Sequence, residues 1–393
     1  MNRHPLSFFE KKHEIDAMLG ATVSSPHVPE DIPCDEVSSA DRLVERPVVS
    51  VHVITYNHEA HIRRTLDSIL AQKCSFPFEV VIGEDCSTDR TRAICMEYQR
   101  NRPDVVRVLV SGKNVGALAN SLRTLVRCRG RFIACCEGDD FWPRMDKLAL
   151  QAAYLESHPE AGLVHANAGK LDPETGGQGA GILDGFEAAI ATSTDPVHEL
   201  LRREWIVVTC TAMLRREVLL ECIGEHPGLY CVNRLVGDVL WWVGCAAKSK
   251  FGYINQQLGV KVLAPASASR PRSLRQRIRF NWEVFTAHVE LNDVFGGGDP
   301  ETREVVFRVY AESLFKMAYD LGDRRLAGVF LGLGRTEGLT PSAGNRFWQA
   351  LWRLGIPFSL AARLSRIVHG LRRLRPVREQ ASTLPEWRGA SHG

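Results

Sequence analysis

Between residues 47 and 170 short apolar runs take turns with stretches whose apolar residues recur every three or four positions. Residues 48–54 form a β-branched run closed by the turn residues Thr55-Tyr56-Asn57, which predicts a strand. Ile62, Leu66, Ile69 and Leu70 follow at helical spacing. Residues 78–82 read as a second buried strand ending at Glu84-Asp85. Ser87-Thr88-Asp89 then offers capping side chains to a helix with Ile94 and Tyr98 on its inner face. Residues 105–110 are a third strand, and Lys113-Asn114-Val115-Gly116 turns into a helix carrying Leu118, Leu122 and Leu125. Residues 132–136 are a fourth strand, closed by Glu137-Gly138-Asp139-Asp140. A helix over 145–155 and a strand starting at 162 complete the series.

Continuous apolar strands alternating with helices predict an α/β fold with a mostly parallel sheet covered on both faces. The crossovers should be right-handed. Such sheets bind ligands outside the carboxyl ends of their strands. Asn57, Glu84-Asp85 and Glu137-Asp139-Asp140 each follow a strand, so they are expected on one edge.

Beyond residue 170 the alternation fails. Residues 175–181 are a glycine-rich loop, 205–214 read as a strand and 215–222 as a short helix. Gly237-Asp238 opens an apolar helix over 239–247, and 253–263 read as a strand pair or extended segment. After Pro265 the chain becomes helical and basic. The expected organisation is an N-terminal extension over 1–46, partly disordered, a core domain over 47–265 and a helical basic region over 266–393.

Composition alters this picture little. A net charge of +3 on 393 residues implies no partner by itself. Eleven cysteines without a C-x-x-C pair or zinc-finger spacing argue against a structural zinc site and point to a reducing compartment. The N-terminus lacks the apolar core of a signal peptide, and no window reaches the ~20 apolar residues of a membrane span. The chain reads as cytoplasmic.

The chemistry concentrates in the acids. Asp85, Asp139 and Asp140 at one sheet edge would repel a bare phosphate, so a phosphate-bearing ligand needs a mediating divalent cation. Mg²⁺ or Mn²⁺ suits oxygen ligands and leaves positions for pyrophosphate oxygens. No Walker loop is present, and Thr-Tyr-Asn-His-Glu replaces a G-x-G-x-x-G turn after the first strand, which argues against a dinucleotide site. The plain alternative for Glu137-Gly138-Asp139-Asp140 is a polar turn.

The order Val-Ile-Thr-Tyr-Asn-His-Glu, Val-Ile-Gly-Glu-Asp-Cys-Ser-Thr-Asp, Lys-Asn-Val-Gly and Cys-Glu-Gly-Asp-Asp-Phe-Trp, with Lys147-Leu148, resembles family 2 glycosyltransferases of the GT-A fold over residues 48–265. The resemblance implies a nucleotide-sugar donor, and a glycan or lipid-linked acceptor. It places Thr55, Tyr56, Asn57, Glu84, Asp85 and Asn114 on the nucleotide. It sets the family's DxD motif on Glu137-Gly138-Asp139, with Asp139 and Asp140 as metal ligands. Asp238 matches the family's acceptor-side acid and would take the acceptor's proton, with inversion; its alternative is helix capping. One departure stands out. Relatives often carry Tyr-Arg-x-His after this helix, whereas Gly259-Val260-Lys261-Val262-Leu263-Ala264 stands here. Lys261 or an arginine of 270–279 is left to neutralise the departing diphosphate. The competing reading is a degenerate member that binds nucleotide-sugar or carbohydrate without turnover. A nucleotidyltransferase shares sheet-edge acids and a metal but would release pyrophosphate. His165 and His198 are expected to be structural.

Residues 346–378 hold eight arginines and no acid, preceded or interleaved by Trp348, Trp352 and Phe358. A basic amphipathic helix with aromatics suits an anionic membrane surface, which would make the protein peripheral; a solvated or packed helix is the alternative. No nucleic-acid-binding module occurs.

Overall fold

The computed structural model describes residues 8–20, 32–187, 190, 193–204, 206–230, 237–263, 273–336 and 340–362. Among the described residues nine strands build one sheet: β1 (Asp35–Val37), β2 (Val49–Thr55), β3 (Phe78–Glu84), β4 (Val106–Val110), β5 (Phe132–Glu137), β6 (Ala161–Leu171), β7 (Gln178–Gly179), β8 (Met213–Arg215) and β9 (Lys250–Val262). Their order is β1-β4-β3-β2-β5-β8-β6-β7, with β9 alongside β6. Pairs β2–β3, β2–β5, β3–β4 and β6–β9 are parallel; β1, β7 and β8 run antiparallel to their neighbours.

The sequence pattern explains the layers. Val49, Val51 and Val53 bury one face of β2, while Ser50 and His52 are buried on the other. Both faces are therefore covered, by α2 (Ile62–Leu70), α3 (Thr91–Asn101), α4 (Ala117–Val126) and α5 (Lys147–Ser157) among others. Burying each Val or Leu of this layer contributes about 1.5–3 kcal/mol. The expected strand over 205–214 is instead a 3₁₀ turn, Thr209–Thr211, leading into the three-residue β8. The expected strand pair over 253–263 is one long strand, β9, with bulges against β6.

A second core lies in the helical region. It is built by α9 (Leu274–Val294), α10 (Pro300–Asp320), α11 (Arg324–Thr336) and α12 (Ala343–Arg353) around Trp282, Phe285, Phe307, Phe315 and Phe330. The first helix, α1 (Phe8–Leu19), packs here, with Phe8, Ile15 and Leu19 buried and Asp16 Oδ1 accepting from Trp282 Nε1 at 2.7 Å. Residues 35–37 extend the sheet, and Arg107 locks that edge by pairing with Glu36 at 2.8 Å and Glu79 at 3.1 Å. The two cores meet through α6 (Pro196–Arg202), whose Arg202 reaches Thr302 and Asp299. The remaining helices, α7 (Arg216–Glu225) and α8 (Asp238–Lys248), pack on the sheet.

Trp348 stacks on Phe358 with ring centroids 5.1 Å apart, and both rings contact Tyr319. Trp352 packs edge-on against Phe315. These aromatics belong to the second core. Leu354 and Leu360 are exposed beside Arg353. The stretch 363–378, most of the expected basic face, lies outside the described residues, as do Arg270 and Arg272. Among the described residues no helix is long and apolar enough to cross a membrane.

Candidate active site

Strand register brings the acids level. Glu84 pairs with Thr55 across β2–β3, and Glu137 pairs with Ile54 across β2–β5. The loops after all three strands therefore open on one edge of the sheet, as expected for an open α/β fold.

Most of the residues expected on the nucleotide side are tied to each other. Asn57 adopts a left-handed φ of +54°. Its Oδ1 accepts from the Thr88 backbone at 2.8 Å, and its own N–H donates to Ser87 Oγ at 3.0 Å. It thereby joins the first loop to the second. Tyr56, next to it, is exposed. Glu84 is fully buried. Its oxygens accept from Ser87 N at 2.6 Å and from Arg92 Nε at 2.5 Å, so it shapes the loop from below. Asp85 accepts from the backbone of Val115 and Gly116, both at 2.9 Å, and from Arg123 at 3.4 Å. Burial pushes the Asp85 carboxyl up, and these donors pull it back. Asn114 donates to the Asp85 carbonyl at 3.1 Å. Asp85, buried with both carboxylate oxygens accepting hydrogen bonds, thus fastens the 112–116 turn.

The acid loop is held from behind by α2. Thr65 Oγ1 lies 2.6 Å from the Asp140 carbonyl and 3.0 Å from that of Gly138. One hydroxyl has one proton, so it serves the nearer carbonyl first. Ser68 Oγ accepts from Trp142 N at 3.1 Å, and Gln72 bridges the Arg144 carbonyl at 2.6 Å and the Leu148 N–H at 3.1 Å. Trp142 Nε1 donates to the Cys210 carbonyl at 2.8 Å, and the buried Lys147 ammonium lies 4.2 Å over its ring. Gly138 allows a close crossing: a Cβ there would stand 2.5 Å from Thr55 Oγ1. Sequence periodicity does not single out Thr65, Ser68 or Gln72. The available signal is that Thr65 and Ser68 share a helix with Ile62, Leu66 and Ile69, and Gln72 follows its C-cap.

The far wall comes from β9. Phe141 and Val260 exchange backbone hydrogen bonds at 2.8 and 3.3 Å. Val262 N donates to Asp140 Oδ1 at 2.8 Å. Asp140 is buried, and burial beside Glu137 and Asp139 raises its carboxyl well above the ordinary range. Glu137 is half-buried and also raised, by burial first, against the lowering effect of Lys261. Lys261 is held high by Glu137, with Asp140 and Asp238 adding to the effect. Asp238, the first residue of α8, is exposed, and its Oδ1 accepts from Val239 N at 2.8 Å. Asp238 is close enough to Glu137 to raise the proton affinity of Glu137. His165 is buried against Tyr253, and His198 bridges Asp195 and the Gly296 carbonyl.

Among the described residues no three His, Cys, Asp or Glu side chains form a ready metal cluster. A Mg²⁺-type ion needs no such cage, because it takes one or two carboxylates and fills its shell with phosphate and water oxygens. Asp139 fits that donor set: it is half-buried and makes no hydrogen bond or ion pair among the described residues. Asp140 has one oxygen committed to β9.

The family model for glycosyl transferase family 2 matches residues 50–222. An uncharacterized protein of Mycobacterium tuberculosis is 43% identical over 112 residues, 28% of this chain and 32% of that protein. The chondroitin synthase of Escherichia coli is 31% identical over 136 residues, 33% of this chain and 19% of the synthase. The chain thus spans less than two thirds of the length of either relative. A solved mannosyltransferase from Pyrobaculum calidifontis, in complex with GDP-Man and Mn²⁺, matches with a TM-score of 0.49 at 18% identity, over 91% of this chain and 95% of that one.

Proposed function

We propose that this chain, whose residues 50–222 match the glycosyl transferase family 2 model, moves a sugar from a nucleotide-sugar donor to a hydroxyl acceptor, with inversion. The observation that supports this reading most is that Asp238, Asp139 and Lys261 all lie within electrostatic reach of Glu137 at the end of β5. Exposure leaves the Asp238 carboxylate accessible to an acceptor, and one oxygen is already oriented by the Val239 N–H.

The Asp238 carboxylate takes the acceptor hydroxyl's proton. The oxygen attacks the anomeric carbon, the new C–O bond forms, and the bond to the nucleoside diphosphate breaks on the opposite side. Asp139 would hold a divalent ion, Mn²⁺ or Mg²⁺, which when bound supplies positive charge to the diphosphate. The nucleoside is assigned to the loops that carry Thr55, Asp85 and Asn114. Asn57 and Glu84 shape its loops through the contacts already described, and Tyr56 is free to cover the base. A glycan or lipid-linked acceptor is proposed; the name of the matched chondroitin synthase supports the glycan. Exposed Leu354 and Leu360 beside Arg346 and Arg353 support contact with an anionic membrane surface.

Thermal-shift screening of nucleotide-sugars with Mn²⁺ identifies the donor, since a ligand that binds the folded state alone raises Tm. Incubation of that donor with Mn²⁺ should then release nucleoside diphosphate. Release of pyrophosphate from a nucleoside triphosphate would instead assign a nucleotidyltransferase. Binding without any release, across a panel of glycan acceptors, would assign a non-catalytic member.

A further inference from the structure

The second core carries an open cleft where two helices end. α10 stops at Asp320 and α12 at Arg353, and each following turn contains a glycine with a left-handed φ, Gly322 at +79° and Gly355 at +76°. A Cβ at either glycine would meet nothing within 4 Å, so both turns face open space. The cleft they line has a volume of about 380 Å³, with Tyr319, Trp352 and Phe358 as its aromatic walls and Asp320, Arg324 and Ser359 supplying polar groups. That size falls within the range of small-molecule sites, about 300–1,000 Å³. Every described lining residue lies between 319 and 359, so none comes from the acid loops of the sheet.

The walls are braced, while the charges are left over. Phe358 is half-buried, stacked on Trp348 with centroids 5.1 Å apart and meeting Tyr319 edge-on at 5.3 Å. Tyr319 is fixed in turn, its hydroxyl donating to the Ile356 carbonyl. Arg324 leans over Trp352, 5.3 Å from the ring centroid, with one long hydrogen bond of 3.4 Å to the Trp352 carbonyl. Asp320 is exposed and makes no hydrogen bond or ion pair among the described residues. Arg324 opens the next helix, yet the two charges do not pair with each other.

These groups select a ligand class. An acyl chain fits poorly, because it would cover a carboxylate and a guanidinium without bonding to either. An anion fits poorly, because two helix C-termini, the negative ends of their dipoles, meet here beside Asp320. A neutral sugar suits every group present. Its hydroxyls donate to the carboxylate and to helix-end carbonyls, and accept from the guanidinium. Its C–H faces lie against aromatic rings.

We propose that this cleft binds a neutral oligosaccharide chain, as a glycan site separate from the site of sugar transfer. A glycan acceptor or product is its natural occupant. The proposal goes beyond the transferase reading and is measured without donor or metal, so either can fail alone.

The test is saturation-transfer NMR of the full chain in EDTA, without nucleotide-sugar. The probes are neutral hexasaccharides of glucose (malto- and cello-), mannose, xylose and N-acetylglucosamine, with a galacturonate hexasaccharide as the anionic control. At least one neutral hexasaccharide is expected to bind, and the anionic one about tenfold more weakly or not at all. Phe358→Ala and Asp320→Asn should each weaken that binding by about tenfold. Both should leave thermal unfolding, and nucleotide-sugar binding in Mn²⁺, unchanged. Asp320 is exposed and unpartnered, so its variant decides even if Phe358→Ala unfolds. Binding of none of the neutral sugars would overturn the proposal, as would full binding by Asp320→Asn. Pelleting with phosphatidylglycerol vesicles that the variants lose, without any sugar binding, would overturn it as well and assign the cleft to lipid.

Discussion

Val262 donates its backbone N–H to Asp140 Oδ1 at 2.8 Å, tying together residues 122 positions apart in the chain. The bond fixes the last strand of the sheet against the acid loop, and Lys261 on that strand is within electrostatic reach of Glu137. It also separates the roles of two adjacent carboxylates. Asp140 faces inward and fastens the loop, while Asp139 remains open to a ligand. Asp140→Asn keeps an oxygen acceptor for Val262 and should retain Mn²⁺ binding with little change in Tm. Asp140→Ala leaves a buried N–H unpaired and should lower stability by about 1–3 kcal/mol. Denaturant unfolding and Mn²⁺ titration of both variants check this. Loss of Mn²⁺ binding in Asp140→Asn would instead make Asp140 a ligand.

Thr65 presses on the same loop from α2. Thr65→Val preserves shape and removes the hydroxyl that serves the Asp140 and Gly138 carbonyls. The expected loss is about 1–3 kcal/mol. Gly138→Ala should be worse for the site, since its new Cβ meets Thr55 Oγ1 and His58 Nδ1 from β2 and the loop after it. Overpacking of this kind costs about 1–3 kcal/mol, and here relief comes by moving the acids. Donor affinity should fall more in Gly138→Ala than in Thr65→Val at matched stability, as read by donor titration.

How far the sequence reaches is visible in these residues. Strand ends β2, β3 and β5 are legible because parallel strands buried on both faces are unbroken apolar runs, and the acids follow directly. Asp238 is legible by position but its distance from Glu137 is not, since the fold of residues 170–262 has no simple period. Thr65 and Ser68 are hidden because a polar residue on an amphipathic helix reads as solvent-facing, and Gln72 because it follows the helix end; only the loop they meet shows otherwise. The docking of α1 on the helical region is hidden for a different reason. Asp16 and Trp282 are partners 266 residues apart, and no local pattern specifies such a contact.

Buried histidines set the acid limit of the fold. Burial lowers His52 to about 4, His165 to about 3 and His288 to about 4, from a usual 6.5. Between pH 6.5 and about 4 the unfolded chain binds protons that these folded imidazoles do not, so stability falls as pH drops through that window. Each contributes a slope of up to about 1.4 kcal/mol per pH unit. His288→Gln should flatten the dependence there while leaving stability above pH 7 less affected. Urea unfolding from pH 7.5 to 4.5 measures it; equal slopes for the variant and wild type would show that His288 titrates normally.

The proton-accepting role of Asp238 has the most direct bearing on the transferase reading. The measurement is the single-turnover rate of sugar transfer by Asp238→Asn, at saturating donor and Mn²⁺, beside a titration of donor binding to the same variant. Asn keeps the acceptor oxygen for the Val239 N–H but cannot take a proton. Donor binding should stay within a few-fold of wild type, and transfer should fall by about 10²–10⁴. Transfer at the wild-type rate by Asp238→Asn would contradict the assignment.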